Sequence, residues 1–397
     1  MKKYLGITAA LIFNQAASAD EARLLNQQPV VAEQTFLVGS WTGEAQGPRV
    51  QKAFYPSQGI YTVKLSADGS MMPIAVTPAQ SPSWLTVDAA HQRVYIVSEV
   101  DEGKVSAYHL ERNGELTLLN TVDSSGMHPT HSALSRDGRY LLVANYSATD
   151  GRSGVSAIPV QSNGHLGKTQ QFFPYNQGSN KVAGRQSSGH AHSVTFSIDG
   201  HYLLAADLGA DKIHVYQYDP KRKDPFTLLA DDTINFPAGD GPRHSTFSAD
   251  GKFLYVTTEM SAQVKVFSFT QGKTELLQAE KLTDSTKDND KSGAGLALSP
   301  DGDFLYVGNR GDKNQIVTFK VDKATGKLSQ SKAYSAGGIE PRDFSFDASG
   351  RYLFVANVYS NNVVEFARDL KTGELSPTGV TLQIGTPTHI RFVTLGK

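Results

Sequence analysis

The sequence predicts an all-β fold: a seven-bladed β-propeller of four-stranded antiparallel blades, its ring closed by N- and C-terminal strands that share one blade. Three observations predict it. First, a turn of the form Ser-X-Asp-Gly recurs at Gly138, Gly200, Gly251 and Gly302, and as Asp347-Ala348-Ser349-Gly350, with glycine spacings of 62, 51, 51 and 48 residues. Asp-Gly between apolar runs is a hairpin signal, because glycine supplies the positive φ such a turn needs. Second, each repeat carries another hairpin turn further on, as at Asn113-Gly114, Asn163-Gly164, Thr325-Gly326 and Thr372-Gly373. Two hairpins make four strands, and four strands in a period near 50 make a propeller blade. Third, the ends are two halves of one repeat. Pro387–Phe392 reads like a first strand (compare Pro242–Phe247) with no turn after it, and Phe36–Ser40 reads like a second strand lacking its first.

In chain order, residues 1–19 read as a secretory signal. Lys2 and Lys3 are the positive start, Tyr4 to Phe13 a short apolar run, and Ala17-Ser18-Ala19 an A-x-A cleavage site. Its removal takes the net charge from −1 to −3. Residues 20–35 are a polar lead-in, and 36–397 the propeller. A weaker repeat, Asp88–Ile96, precedes the five clear ones. No later stretch reaches the ~18 apolar residues of a membrane helix. The protein is therefore expected to be exported, periplasmic in a Gram-negative source and otherwise secreted. The near-balance of 38 basic and 39 acidic residues leaves no electrostatic footprint for nucleic acid. The absence of cysteine excludes disulfides, thiolate catalysis and cysteine-bound metal.

Numbering each repeat from its turn glycine finds one face. Eight residues before it stand Ser83, Thr130, His192, Arg243, Ala294, Arg342 and, in the split blade, Thr388; eight after it stand Glu99, Tyr146, Leu208, Glu259, Arg310 and Val358. Both sets lie opposite the turn, on the two strands nearest the axis, and should ring one channel mouth. His192, Arg243, Arg342, Glu99, Glu259 and Arg310 converge there, joined by neighbouring His128, His131, His190 and His244. Several guanidiniums among carboxylates and imidazoles suit an anionic or oxygen-rich small molecule. The long connections 41–59, 174–189 and 283–293 fall on the same side, a usual place for binding loops. His190 and His192 have the spacing of a metal pair, but a third ligand is not identifiable and the arginines would repel a cation, so no metal is expected. No G-x-S-x-G elbow supports a serine triad.

These residues resemble the seven-bladed lactonase family, which includes the propeller-type 6-phosphogluconolactonases and the carboxy-muconate cyclases. The resemblance covers nearly the whole mature chain and rests on Gly189-His190-Ala191-His192-Ser193-Val194, Ala206-Asp207-Leu208-Gly209-Ala210-Asp211, Gly241-Pro242-Arg243-His244, Gly308-Asn309-Arg310-Gly311, Pro341-Arg342-Asp343-Phe344 and Ala356-Asn357. It departs from the family at Thr258-Glu259-Met260, at Pro387-Thr388-His389 and in the length of 41–59. In the family the proposed active-site group falls on His190 or His192, Arg243, Glu259 and Arg310 of this chain. The resemblance implies a hydrolase of lactone esters that needs no cofactor. The expected roles are Glu259 as general base with His192 sharing the proton, Arg243 and Arg310 holding the oxyanion, and Arg342, His190, Glu99, His131 and His244 contacting substrate. Glu259→Gln and Arg310→Ala are each expected to abolish most lactone hydrolysis with little effect on stability. The same groups suit lactone formation, as in the muconate cyclases. A non-catalytic exported propeller binding a partner at its mouth is the reading of a different class. The expected partner is a small lactone or carboxylate, without nucleic acid or a membrane span.

Overall fold

The computed structural model describes residues 33–42, 57–147 and 152–396. The expected leader, nearly all of the polar lead-in and most of the 41–59 connection lie outside the described residues. Seven sheets are present, each ordered from inner to outer strand. Six follow one another along the chain as blades 1 to 6, at 82–123, 129–174, 191–235, 242–281, 293–335 and 341–383. The seventh is the split blade. Its inner strand Pro387–Val393 pairs antiparallel with Gln34–Ser40, setting Phe36 opposite Phe392 and Val38 opposite Ile390. The ring therefore closes as the two half-repeats require, the two terminal strands pairing with each other.

Burial grades outward through each blade. Second strands such as Phe253–Thr258, Phe304–Asn309 and Tyr352–Asn357 are buried at every residue, because neighbouring blades cover both faces of the sheet. They accordingly read as continuous apolar runs rather than alternating ones. Outer strands such as Leu328–Ser335 are mostly exposed and polar. The core is a series of inter-blade seams; Phe36, Phe354 and Phe392 pack at ring separations of 5.2–5.5 Å where blade 6 meets the split blade. Burying each such side chain contributes roughly 1.5–3 kcal/mol.

The recurring turn has a local cause. Ser248 Oγ donates to Asp250 Oδ1 at 2.7 Å, the same carboxylate accepts from Lys252 N at 3.1 Å, and Phe253 N donates back to Ser248 Oγ at 3.0 Å. Gly251 between them sits at φ 73°, which only glycine adopts without cost. The same bonds recur around Gly200 and Gly302.

At the opposite end every inner strand is bulged. The ladder skips Ser83, Thr130, His192, Arg243, Arg342 and Thr388, each standing between paired neighbours, and in blade 5 it skips Ala294 with Gly295. Equal offsets from the turn therefore do not pair. Pro242, nine before Gly251, faces Thr258, seven after it, whereas His244 faces Thr257. The skipped residues are the ring found by counting eight back from the glycine. A bulge breaks the alternation of side chains and re-aims the extra one. Two consecutive residues of each inner strand thus serve the channel.

Candidate active site

At the bulged mouth a cavity of about 440 Å³ is lined by His192, Glu99, Glu259, Arg310 and Arg342, with Trp41, Thr130, Tyr146, Arg185, Met260, Lys291, Ser292, Glu340 and Tyr359. A larger cleft of about 520 Å³ at the turn end of the split blade, around Glu33 and Lys64, gathers no comparable set of titratable groups.

Glu259 is the centre. It follows the second strand of blade 4, and its backbone is clamped on both sides: its N–H donates to Gly241 O at 2.8 Å and its carbonyl accepts from Gly293 N at 2.9 Å. Its carboxylate meets three guanidiniums, with Oε1 2.5 Å from Arg185 Nη2 and Oε2 3.0 Å from Arg243 Nε and 2.9 Å from Arg310 Nη2. Arg310 in turn holds Glu340 Oε1 at 3.0 Å. Burial alone would raise the Glu259 carboxyl, but Arg185, Arg310 and Arg243 override it and hold it well below the usual carboxylate range. Burial, then repulsion from Arg310 and Arg342, brings the Arg243 guanidinium down to about 9, so it stays charged at neutral pH.

Arg243 does not face the cavity. It is 1% exposed and lies beneath Glu259, reaching the site only through that carboxylate. The direct oxyanion contact expected of it is therefore corrected to support of Glu259. Breaking a buried ion cluster by removing one partner costs about 3–5 kcal/mol. Glu259→Gln is accordingly expected to lower stability as well, contrary to the expectation from sequence.

His192 is buried with a ring nitrogen, Nδ1, that has no protein hydrogen-bond partner among the described residues. Burial, and next the Arg243 charge, holds this imidazole well below its ordinary pKa, so it is neutral at pH 7. Arg342, also lining the cavity, stacks over the Trp41 ring at 4.5 Å and lies 3.7 Å from Glu99, which accepts from Trp41 Nε1 at 3.0 Å.

The other three expected contacts fall elsewhere. His190 points away from the cavity: its Nδ1 donates to the carbonyls of Tyr146 and Ser147 at 3.0 and 2.8 Å, and its ring stacks on Tyr146 at 4.6 Å. It braces Tyr146 rather than touching a ligand. His131 and His244 follow the bulge by one residue and sit a layer deeper. There Trp84 is stacked between His131 at 3.9 Å and His389 at 3.8 Å, and His244 meets His131 edge-on at 5.3 Å and His192 at 5.1 Å. These side chains form a plug beneath the pocket. Burial holds His131 down at about 3, and His244 and His389 well below normal.

Counting from the turn missed Arg185, Glu340, Lys291 and Trp41. Arg185 and Lys291 stand in connections much longer than the equivalent ones at 79–81 and 384–386, so the repeat could point only to their loops, 174–189 and 283–293. Among the described residues no group of three or more His, Cys, Asp or Glu is arranged to hold a metal ion, and no helix is long and apolar enough to cross a membrane.

The sequence model described as "Lactonase, 7-bladed beta-propeller" matches residues 35–392. The chain belongs to the seven-bladed β-propeller lactonase family. A 6-phosphogluconolactonase of Formosa agariphila is 32% identical over 364 residues, covering 90% of this chain and 99% of that one. The 6-phosphogluconolactonase of Bacillus subtilis is 31% identical, covering 85% of this chain and 95% of that one. Among solved structures, the periplasmic gluconolactonase of Pseudomonas aeruginosa is 38% identical, with a TM-score of 0.85 over 92% of this chain and all of the other. Members of this propeller lactonase family are thus similar to the chain from the N-terminal strand of the split blade through the closing strand, and the cavity at the bulged mouth lies within the matched span.

Proposed function

We propose that the protein is an exported hydrolase of sugar-derived lactones, and that an uncharged aldonolactone suits it better than a phosphorylated one. The observation that carries this reading is the charge count of the cavity cluster. Arg185, Arg243, Arg310 and Arg342 face Glu99, Glu259 and Glu340, with His192 neutral, which leaves one positive charge. Lys291 is matched by Asp288 at 3.3 Å. One surplus charge balances the single negative charge that appears when a neutral lactone becomes an oxyanion and then a carboxylate. A phosphate ester would add close to two more. Export is supported by the leader-like residues 1–19 and by the likeness to a periplasmic gluconolactonase.

In the reaction, the lactone carbonyl lies over Arg310 and Arg342, and water attacks its carbon. The water proton passes to a ring nitrogen of His192, and the guanidiniums stabilise the oxyanion. As the ring C–O bond breaks, the His192 imidazolium returns the proton to the departing alkoxide, leaving a hydroxy acid. Glu259 is too tightly held by three guanidiniums to take a proton at neutral pH. Its negative charge instead steadies the imidazolium and aligns the arginines. The base role expected of Glu259 therefore moves to His192.

The test is a panel of lactones offered to the purified protein. Turnover of D-glucono-1,5-lactone with a higher kcat/KM than its 6-phosphate is expected. No turnover of any lactone sinks the reading, and a clear preference for the phosphate sinks its substrate half.

A further inference from the structure

The connection between blades 2 and 3, residues 175–190, is far longer than its equivalents at 79–81 and 384–386, and it projects over the cavity. It is a built arm, held from its inside by Gln186. That side chain is fully buried; its Nε2 donates to Leu208 O at 2.9 Å and to Asp211 Oδ1 at 2.8 Å, and its Oε1 accepts from Val182 N at 3.1 Å. Asp211 is buried too, and accepts from Gly241 N at 2.7 Å and Gly239 N at 2.8 Å. Those glycines lead directly into the inner strand that carries Arg243. One buried Gln–Asp pair thus fixes the arm, the loop after the second strand of blade 3 and the entry to blade 4 relative to one another. The arm also lies so close to blade 3 that a Cβ on Gly209 would fall 2.0 Å from Ser188 O. This explains the Asp207–Asp211 motif, which the mechanism above leaves unused.

What the arm delivers is Arg185. Its Nη2 is 2.5 Å from Glu259 and 3.3 Å from the Tyr146 hydroxyl. Its side chain is 42% exposed, against 1% for Arg243 and 7% for Arg310. Of the three guanidiniums on Glu259, Arg243 is closed off, and Arg185 is far more exposed to the cavity than Arg310. We propose that Arg185 is a substrate-contacting residue that joins Arg310 and Arg342 on the oxyanion and then takes the carboxylate of the reacting lactone, and that Gln186 and Asp211 are positioning residues that hold it there. Arg185 can meet the new carboxylate without leaving Glu259, because only one of its terminal nitrogens is engaged there. The inference rests on the hydrolytic reading for its ligand, and its test separates the two.

The variants are Arg185→Gln, Arg185→Lys, Gln186→Leu and Gly209→Ala, the last shifting the arm without removing a polar group. Two readouts are taken on each folded protein: kcat and KM on D-glucono-1,5-lactone, and D-gluconate binding by calorimetry, which needs no turnover. Losing one charge-assisted contact should weaken gluconate about ten- to hundredfold in Arg185→Gln. Its kcat should fall ~10²–10³-fold, with partial recovery in Arg185→Lys. The two arm variants should lose about 10–10²-fold in kcat with KM little changed. Gluconate binding that depends on Arg185 in a protein with no lactone turnover upholds the arm and overturns the hydrolytic reading. Turnover and gluconate affinity unchanged in Arg185→Gln overturn the arm and leave that reading standing, as does a wild type that turns over lactone but does not bind gluconate. Unchanged kcat in both arm variants overturns the positioning role.

Discussion

Two rings of side chains one residue apart in sequence face the same channel and have opposite character. The skipped ring holds His192, Arg243 and Arg342 at the mouth and meets Glu259, Arg310 and Glu99 from the second strands. The next ring holds Trp84, His131, His244 and His389, stacked and uncharged, with Asp343 beside His389. In an unbroken strand consecutive residues would point to opposite faces; the bulge lets both rings serve the axis. The difference teaches how the pocket obtains its electrostatics. A buried aromatic plug lies beneath charges that, Arg185 apart, are largely shielded from bulk water, so each buried ion pair acts at low dielectric and each uncharged imidazole stays uncharged.

The sharpest way to break this contrast is to unbalance the charged ring. Glu259→Gln should cost about 3–5 kcal/mol of stability, read from denaturant unfolding, together with nearly all turnover. A stable variant would mean the arginines are not desolvated. His192→Asn, which removes a neutral group, should lower kcat ~10²–10⁴-fold with a far smaller loss of stability; equal losses on both readouts would make His192 part of the scaffold.

The plug is probed by pH. His131 is held at about 3 in the folded protein against 6.5 unfolded, so the unfolded state binds more protons in that window. Its contribution is present above pH 6.5 and is lost as pH falls towards 3, by at most about 1.4 kcal/mol per unit. His131→Phe should therefore flatten the fall in Tm between pH 7 and 4.5. Asp343, 3.5 Å from His389, is raised by burial to about 7 from 3.8, so here the folded state binds the extra proton. Its contribution is present below pH 3.8 and is lost as pH rises through 7. The advantage of Asp343→Asn over the wild type should thus grow from pH 4 to 7. Parallel Tm profiles for these variants and the wild type would show a wet channel.

The fold was legible because its turns are local. A glycine at φ near 70° and a Ser–Asp bond pair write themselves into four letters, repeated often enough to count blades. The mouth was legible for the same reason, since equivalent positions share an offset. What stayed hidden depends on geometry that repeats do not encode. The bulge was invisible, so His131 and His244 read as neighbours of the site rather than its buried floor, and Arg243 read as a ligand contact rather than a support. Glu340 precedes an inner strand at φ 65°, a position that counting from the strand ends does not mark. Arg185 lies in an insertion with no sister blade, and only folding brings it to Glu259.

The central claim is that the charged mouth hydrolyses lactones with His192 as the proton acceptor. Its most direct test is proton release from D-glucono-1,5-lactone above the spontaneous rate, measured in weak buffer for the wild type and His192→Asn at equal folded concentration. Rapid release by the wild type and a fall of at least ~10²-fold in the variant is the expected result. Matching rates in the two proteins, or no release above background in either, would contradict it.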